Sequence, residues 1–192
     1  VVQTFAKADA TTKVQLLAAL SAFGGDTALQ ATRGALAEPG EVRKAAVRSL
    51  AEWPDSAPLP DLRKVAKEEN DRTIQILALR GCIKMIGKSG LKTEEKVQAF
   101  REAMELSTRP EEKRQVLGEI GRVAHADSLK VVEPFLNDDQ LKREALQAYE
   151  RIAESLSGRQ PAIAKEALQK VLAAATDEGL REKARAALEK IK

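Results

Sequence analysis

Apolar residues recur along this chain with helical spacing, and they do so in six blocks that align without internal gaps: 12–23, 42–53, 74–85, 112–123, 141–152 and 180–191. The fifth position of each block holds Leu16, Ala46, Ala78, Val116, Ala145 and Ala184. The ninth holds Leu20, Leu50, Cys82, Ile120, Tyr149 and Leu188, and the twelfth Phe23, Trp53, Met85, Val123, Ile152 and Ile191. Offsets of four and three place these columns on one stripe of a helix, so each block is expected to be one helix with its stripe buried.

The stretches between the blocks carry their own helix signals. Gly24-Gly25 stops the first block, and Asp26 is expected to cap a helix over 27–37. Pro39-Gly40 turns the chain into the second block, and prolines 54, 58 and 60 end it and open a helix over 60–69. Glu94 and Glu95 suit the first turn of a helix over 93–106, where the macrodipole favours acids. Asp127 is expected to cap 128–136, with a kink at Pro134, and Pro161 to occupy the first turn of 161–175. The repeating unit is therefore helix, turn, helix. Neither helix can bury its apolar stripe alone, and stacking of units supplies the missing cover.

The block starts are 30, 32, 38, 29 and 39 residues apart. Tetratricopeptide repeats have a similar period, but their Trp, Gly, Tyr and Pro pattern is missing, as is the Thr-Pro-Leu-His signature of ankyrin. The stretch Val42-Arg43-Lys44-Ala45-Ala46-Val47-Arg48-Ser49-Leu50 resembles the second helix of HEAT repeats, and the resemblance runs from about Asp9 to Ile191. It implies an all-α, right-handed α-α superhelix of about five to six antiparallel helix pairs, an armadillo-type solenoid spanning 1–192 as a single domain. Val47-Arg48, Leu79-Arg80-Gly81 and the run from Val131 to Asp138 are similar to HEAT arrays of large multidomain bacterial proteins, some beside sugar-active or haem-binding domains. That likeness implies an exported or periplasmic setting. A first residue other than Met is expected of a piece of a larger protein.

Composition narrows the function classes. Only six residues are aromatic, so alanine and leucine must do most of the packing. A single cysteine, Cys82, permits neither an internal disulfide nor a cysteine metal cluster, and its column marks it as a core residue. No apolar run is long enough to span a bilayer. His125, the one histidine, falls in a turn with no nucleophile beside it. Trp53 shares its column with Phe, Met, Val and Ile, which assigns it to the core rather than to a stacking platform. The carboxylate pairs Glu68-Glu69, Glu94-Glu95, Glu111-Glu112 and Asp138-Asp139 sit at helix ends, and adjacent residues do not share a helix face. No phosphate loop, nucleophile elbow or His-Glu-x-x-His motif occurs. An enzyme is not expected, nor any cofactor or metal.

Charge is distributed unevenly. The six blocks hold 16 Lys and Arg against 7 Asp and Glu; chain totals of 32 and 29 leave 16 basic and 22 acidic residues for the remainder. In HEAT-like arrays the second helices line the concave side. A basic concave surface is therefore expected from Arg43, Lys44, Arg48, Arg80, Lys84, Lys113, Arg114, Arg122, Lys142, Arg143 and Arg151, all outside the three apolar columns. Two readings compete: an anionic partner, or ladders of ion pairs to neighbouring repeats. The expectation is a monomeric, non-catalytic scaffold whose groove binds a protein or a neighbouring domain of the same chain, without membrane insertion. The alternative is binding of nucleic acid or another polyanion; HEAT-like glycosylases place stacking aromatics on the basic face, and aromatics are scarce here.

Overall fold

The computed structural model describes residues 2–191, which are helical throughout apart from turns and short connections. Twelve α-helices are present among them: α1 Val2–Lys7, α2 Ala10–Phe23, α3 Asp26–Ala35, α4 Gly40–Ala51, α5 Leu59–Glu68, α6 Arg72–Lys88, α7 Thr93–Leu106, α8 Pro110–Ile120, α9 Ala126–Val132, α10 Lys142–Leu156, α11 Pro161–Ala174 and α12 Glu178–Glu189. A 3-10 turn, Glu133–Phe135, follows α9. Each of the six aligned blocks lies on one helix of the even-numbered set, with some final residues just past its end and Leu141 just ahead of α10.

Local chemistry sets these boundaries. Asp9, Asp71 and Asp177 cap α2, α6 and α12 by accepting backbone N–H bonds from Thr12, Thr73 and Leu180, each at 2.8 Å. Pro110 and Pro161 begin α8 and α11 where a missing N–H costs nothing. Gly24 and Gly25, at φ +66° and +83°, make the sharp exit from α2 that other residues would resist. Three expectations are corrected here. Asp26 is the first helical residue of α3, its cap being Gly25. At α9 the capping group is the His125 Nδ1, which accepts from the Asp127 N–H at 3.1 Å; Asp127 itself sits in the first turn and pairs with Lys130 at 2.7 Å. Pro134 ends the helix rather than kinking it, because its ring cannot donate and the chain tightens into the 3-10 turn.

Two compact units emerge, Val1–Gly90 and Leu91–Lys192. In the first, α2, α4 and α6 pack side by side in that order, with α1 against α2 and α3, α3 against α2 and α4, and α5 against α6. In the second, α8, α10 and α12 form the row; α7 packs on α8, α9 on α10, and α11 on both α10 and α12. Each unit is thus three helix pairs in two layers. The apolar columns are the seam between the layers: Ala46, Leu50, Ala78, Val116, Ile120, Ala145 and Ile152 are at most 1% exposed. Burial of one such leucine or isoleucine stabilises by roughly 1.5–3 kcal/mol. Phe23 departs from its column at 78% exposure, and Leu16, Leu188 and Ile191 are only half-buried. Leu16 and Phe23 belong to α2, Leu188 to α12, and Ile191 lies just past the end of α12.

Within a row the helices approach closely at small residues. An added Cβ on Gly81 of α6 would lie 2.7 Å from the Ala51 Cβ of α4, and one on Gly121, just after α8, 3.1 Å from the Ala148 Cα of α10. The eighth position of the later helix therefore meets the tenth position of the earlier one. Ser49 takes the same eighth position on α4, and its hydroxyl donates to the Leu17 carbonyl of α2.

Candidate functional site

The basic residues of the even helices fall into two sets by their position around the helix. The second aligned position stands at the edge of the buried stripe, and its long side chains reach back into the seam. Arg43 donates to the Leu36 carbonyl near the end of α3 and to the Glu69 carboxylate beyond α5. Gln75 donates to the Ala66 carbonyl of α5 at 3.2 Å, and Arg181 to the Leu172 and Ala175 carbonyls at the end of α11. Lys13 pairs with Glu38 at 2.8 Å, and the Lys113 ammonium lies 5.6 Å from the Phe135 ring centroid. These groups neutralise the carbonyl-bearing, partially negative ends of the preceding helices or tie one repeat to the next turn. Asp71 backbone donation and the Arg43 guanidinium hold the Glu69 carboxyl below the usual range. Arg43 and Lys113, expected on the open surface, are thus turned into the seam, because the second position is only about 60° from the apolar columns. Lys142 shares their register and is half-buried.

The third, seventh and eleventh positions form the other set, a ridge on the side of each even helix away from the odd-helix layer. On the first unit it carries Lys44, Arg48, Arg80 and Lys84; on the second, Arg114, Arg122, Arg143 and Arg151. Several are paired locally: Lys44 with Glu41 at 3.6 Å, Lys84 with Glu52 across α4 and α6 at 2.7 Å, Arg122 with Glu119 at 2.9 Å, and Arg114 with Glu144 at 3.8 Å. Arg114 also donates to the Gln140 carbonyl at 3.0 Å. Arg48, Arg143 and Arg151 are exposed and make no ion pair among the described residues. Exposed pairs of this kind contribute about 0–1 kcal/mol each, so they leave the ridge largely available to a competing anion.

Other candidates for chemistry resolve into structure. Cys82 is 2% exposed, and burial pushes its thiol up to about 12 against the opposing pull of Arg63 and Lys67. Trp53, Tyr149 and Phe100 are buried. Among the described residues no group of three or more His, Cys, Asp or Glu could hold a metal ion, and no helix is long and apolar enough to cross a membrane. Sequence reasoning overlooked Glu150, a tenth-position residue of α10 that is 7% exposed. Burial first and Glu154 second raise its carboxyl above the ordinary range, with Lys183 and Arg151 opposing. A folded-state value above the unfolded one means that its carboxylate form costs stability at neutral pH, a cost relieved as pH falls through that value. Glu150→Gln is expected to raise Tm by roughly 2–4 °C at neutral pH. In thermal melts the gain should vanish as pH falls to the ordinary glutamate range; a lower Tm at neutral pH would show that its attraction to Lys183 dominates.

No protein-family model matches the chain, and no curated protein matches it in sequence. Among solved structures it is similar to the crystal structure of an engineered protein, a target of the Northeast Structural Genomics Consortium. The TM-score is 0.57 at 22% identity, covering 99% of this chain and 94% of that one. The likeness is one of fold.

Proposed function

We propose that the chain is a HEAT-type, α-solenoid scaffold, non-catalytic, that binds an acidic segment of a protein partner along the open ridges of its even helices, the concave side of such an array. The observation that carries this reading is the division of the basic residues. Arg43, Gln75 and Arg181 of the second position are spent on main-chain carbonyls at the seam, whereas Arg48, Arg143 and Arg151 stand on the ridge without an ion-pair partner among the described residues. Side chains that only stabilise neighbouring repeats would be expected to resemble the first set. A protein partner is favoured over nucleic acid because the ridges present no aromatic platform; Trp53, Tyr149 and Phe100 are in the core.

The test is fluorescence anisotropy with a labelled poly-glutamate peptide, across a salt titration. Binding should be weak, should decline steeply with salt, and should fall at least ~10-fold in Arg143→Glu/Arg151→Glu. Both side chains are exposed, so helicity should hold, with a small fall in Tm because Arg151 offsets the buried Glu150. If peptide binding is absent in the unmodified chain or unchanged in the variant, the ridge is ordinary solvated surface. Preferential binding of duplex DNA would replace the protein partner with a polyanionic one.

A further inference from the structure

We infer that the acidic segment carries a phosphorylated side chain, seated over Gly118 among the arginines of α8 and α10, an inference that rests on the ridge reading above. Gly118 takes the seventh position of its block, on the ridge of α8, and nothing lies within 4 Å of a Cβ built there. Gly81 and Gly121 are met closely by a neighbouring helix, whereas neither close packing nor a positive φ calls for glycine at 118. Glycine weakens a helix relative to alanine, so the fold gains nothing from it at this point. What it leaves is a gap in the ridge.

The residues around the gap suit one kind of group. Gly121 lies against Ala148, and Arg114 reaches the Gln140 carbonyl at 3.0 Å and Glu144 at 3.8 Å. The helices α8 and α10 therefore run parallel, with Gly118 level with the buried Ala145. On either side of Ala145 the exposed residues are Arg143 and Gln147. Along α8 itself, Arg114 and Arg122 stand one turn before and one turn after Gly118, about 6 Å each way along the axis. With the axes of packed helices about 8–10 Å apart, three guanidiniums and one amide can reach the space above the missing side chain.

Two carboxylates share the neighbourhood. Glu119 accepts from Arg122 at 2.9 and 3.0 Å, and Glu144 stands beside Arg114. Both pairs lie on the open surface, where pairing is weak and yields to a more highly charged competitor. Arg143 makes no ion pair among the described residues, so the frame stays positive. A carboxylate is satisfied by one guanidinium fork. A phosphate monoester has three free oxygens and nearly two charges, and engages several forks at once. Arginine rather than lysine at all three places strengthens the match, because its planar fork binds such oxygens in pairs. The first unit offers no such frame: Arg48 and Arg80 fill the seventh positions of α4 and α6, and its other ridge bases are Lys44 and Lys84. A polynucleotide would need a row of phosphate seats, whereas Gln147 fills the seventh position beside this one.

Fluorescence anisotropy on the intact chain tests the inference with two labelled peptides, poly-glutamate and the same peptide with one central phosphoserine. The phosphoserine peptide should bind at least ~10-fold more tightly. Gly118→Leu fills the gap with a good helix former, and it should cut that preference below ~3-fold with poly-glutamate still bound. The built Cβ meets nothing, so this variant should keep its helicity. Arg143→Lys keeps the charge and loses the fork, and it should lower the ratio of the two affinities by a similar factor. Equal affinity for the two peptides overturns the phosphate seat and leaves the ridge reading standing; failure of both peptides to bind overturns both. A preference that survives the two substitutions overturns the seat, because the phosphate then lies elsewhere. So does binding of duplex DNA without discrimination between the peptides.

Discussion

Gly81→Val is expected to destabilise the first unit by roughly 3 kcal/mol, lowering Tm by about 6–12 °C. The added Cβ meets the Ala51 Cβ at 2.7 Å, the Ala51 Cα at 3.0 Å and the Leu62 Cδ1 at 3.1 Å. Two of these atoms belong to the backbone or first side-chain carbon of α4 and cannot swing aside, so α6 must withdraw from α4 or from α5. Withdrawal opens the seam beside Leu50 and Leu62, each fully buried. A glycine in a helix interior otherwise costs ~1 kcal/mol relative to alanine, so relief of that cost works in the opposite direction. The close contact outweighs it. Gly118 is the control: it lies within α8 with nothing inside 4 Å of its built Cβ, and Gly118→Ala should raise stability by up to ~1 kcal/mol. Urea denaturation of the two variants checks both signs. A neutral Gly81→Val would show that the row of even helices is loosely packed at this junction.

Cys82 supplies the second large effect. With its thiol pushed up to about 12 and its side chain 2% exposed, native protein should react with a disulfide reagent at least ~1000-fold more slowly than denatured protein. Labelling then requires transient opening of α6 from its neighbours, and the rate measures the free energy of that opening. Gly81→Val removes the packing one residue away and should accelerate labelling by about the Boltzmann factor of its stability loss. Fast labelling of the unmodified chain would overturn the core placement of the ninth column.

Much of this fold is visible in the residue pattern because repetition averages out local ambiguity. The helix over 93–106 is found with the boundaries expected of it, since its first-turn acids and apolar spacing agree. Six rows agree on Leu50, Ile120 and their counterparts, whereas Phe23 occupies a core column and is 78% exposed at the last residue of α2, because a column reports helical register and not what packs against it in each row. The short α1 carries no periodic signal long enough to register. Asp127 is a good capping residue by type, yet His125 two residues earlier takes the role, a choice settled by where the turn brings the imidazole nitrogen. For the candidate site, residue type marks the basic set but not its division. Arg43 and Arg48 are both arginines outside the apolar columns, and only the angular distance from the stripe sends one to a carbonyl and leaves the other on the ridge. The small eighth column, Ala19, Ser49, Gly81, Ala148 and Ala187, was readable in the alignment, with Glu119 as its one exception.

The grip of Arg43, Gln75 and Arg181 on the ends of the preceding helices bears on how this chain can vary in length. Each holds a main-chain oxygen, a group that every amino acid carries, so the latch makes no demand on which residue sits in the turn. Turns can therefore lengthen or shorten while the two helices they join stay fastened at the same point. The block spacing, which ranges from 29 to 39 residues, fits such a tolerance. Insertions in these turns should be absorbed as surface loops, and the chain can diversify its rim without disturbing the stack beneath.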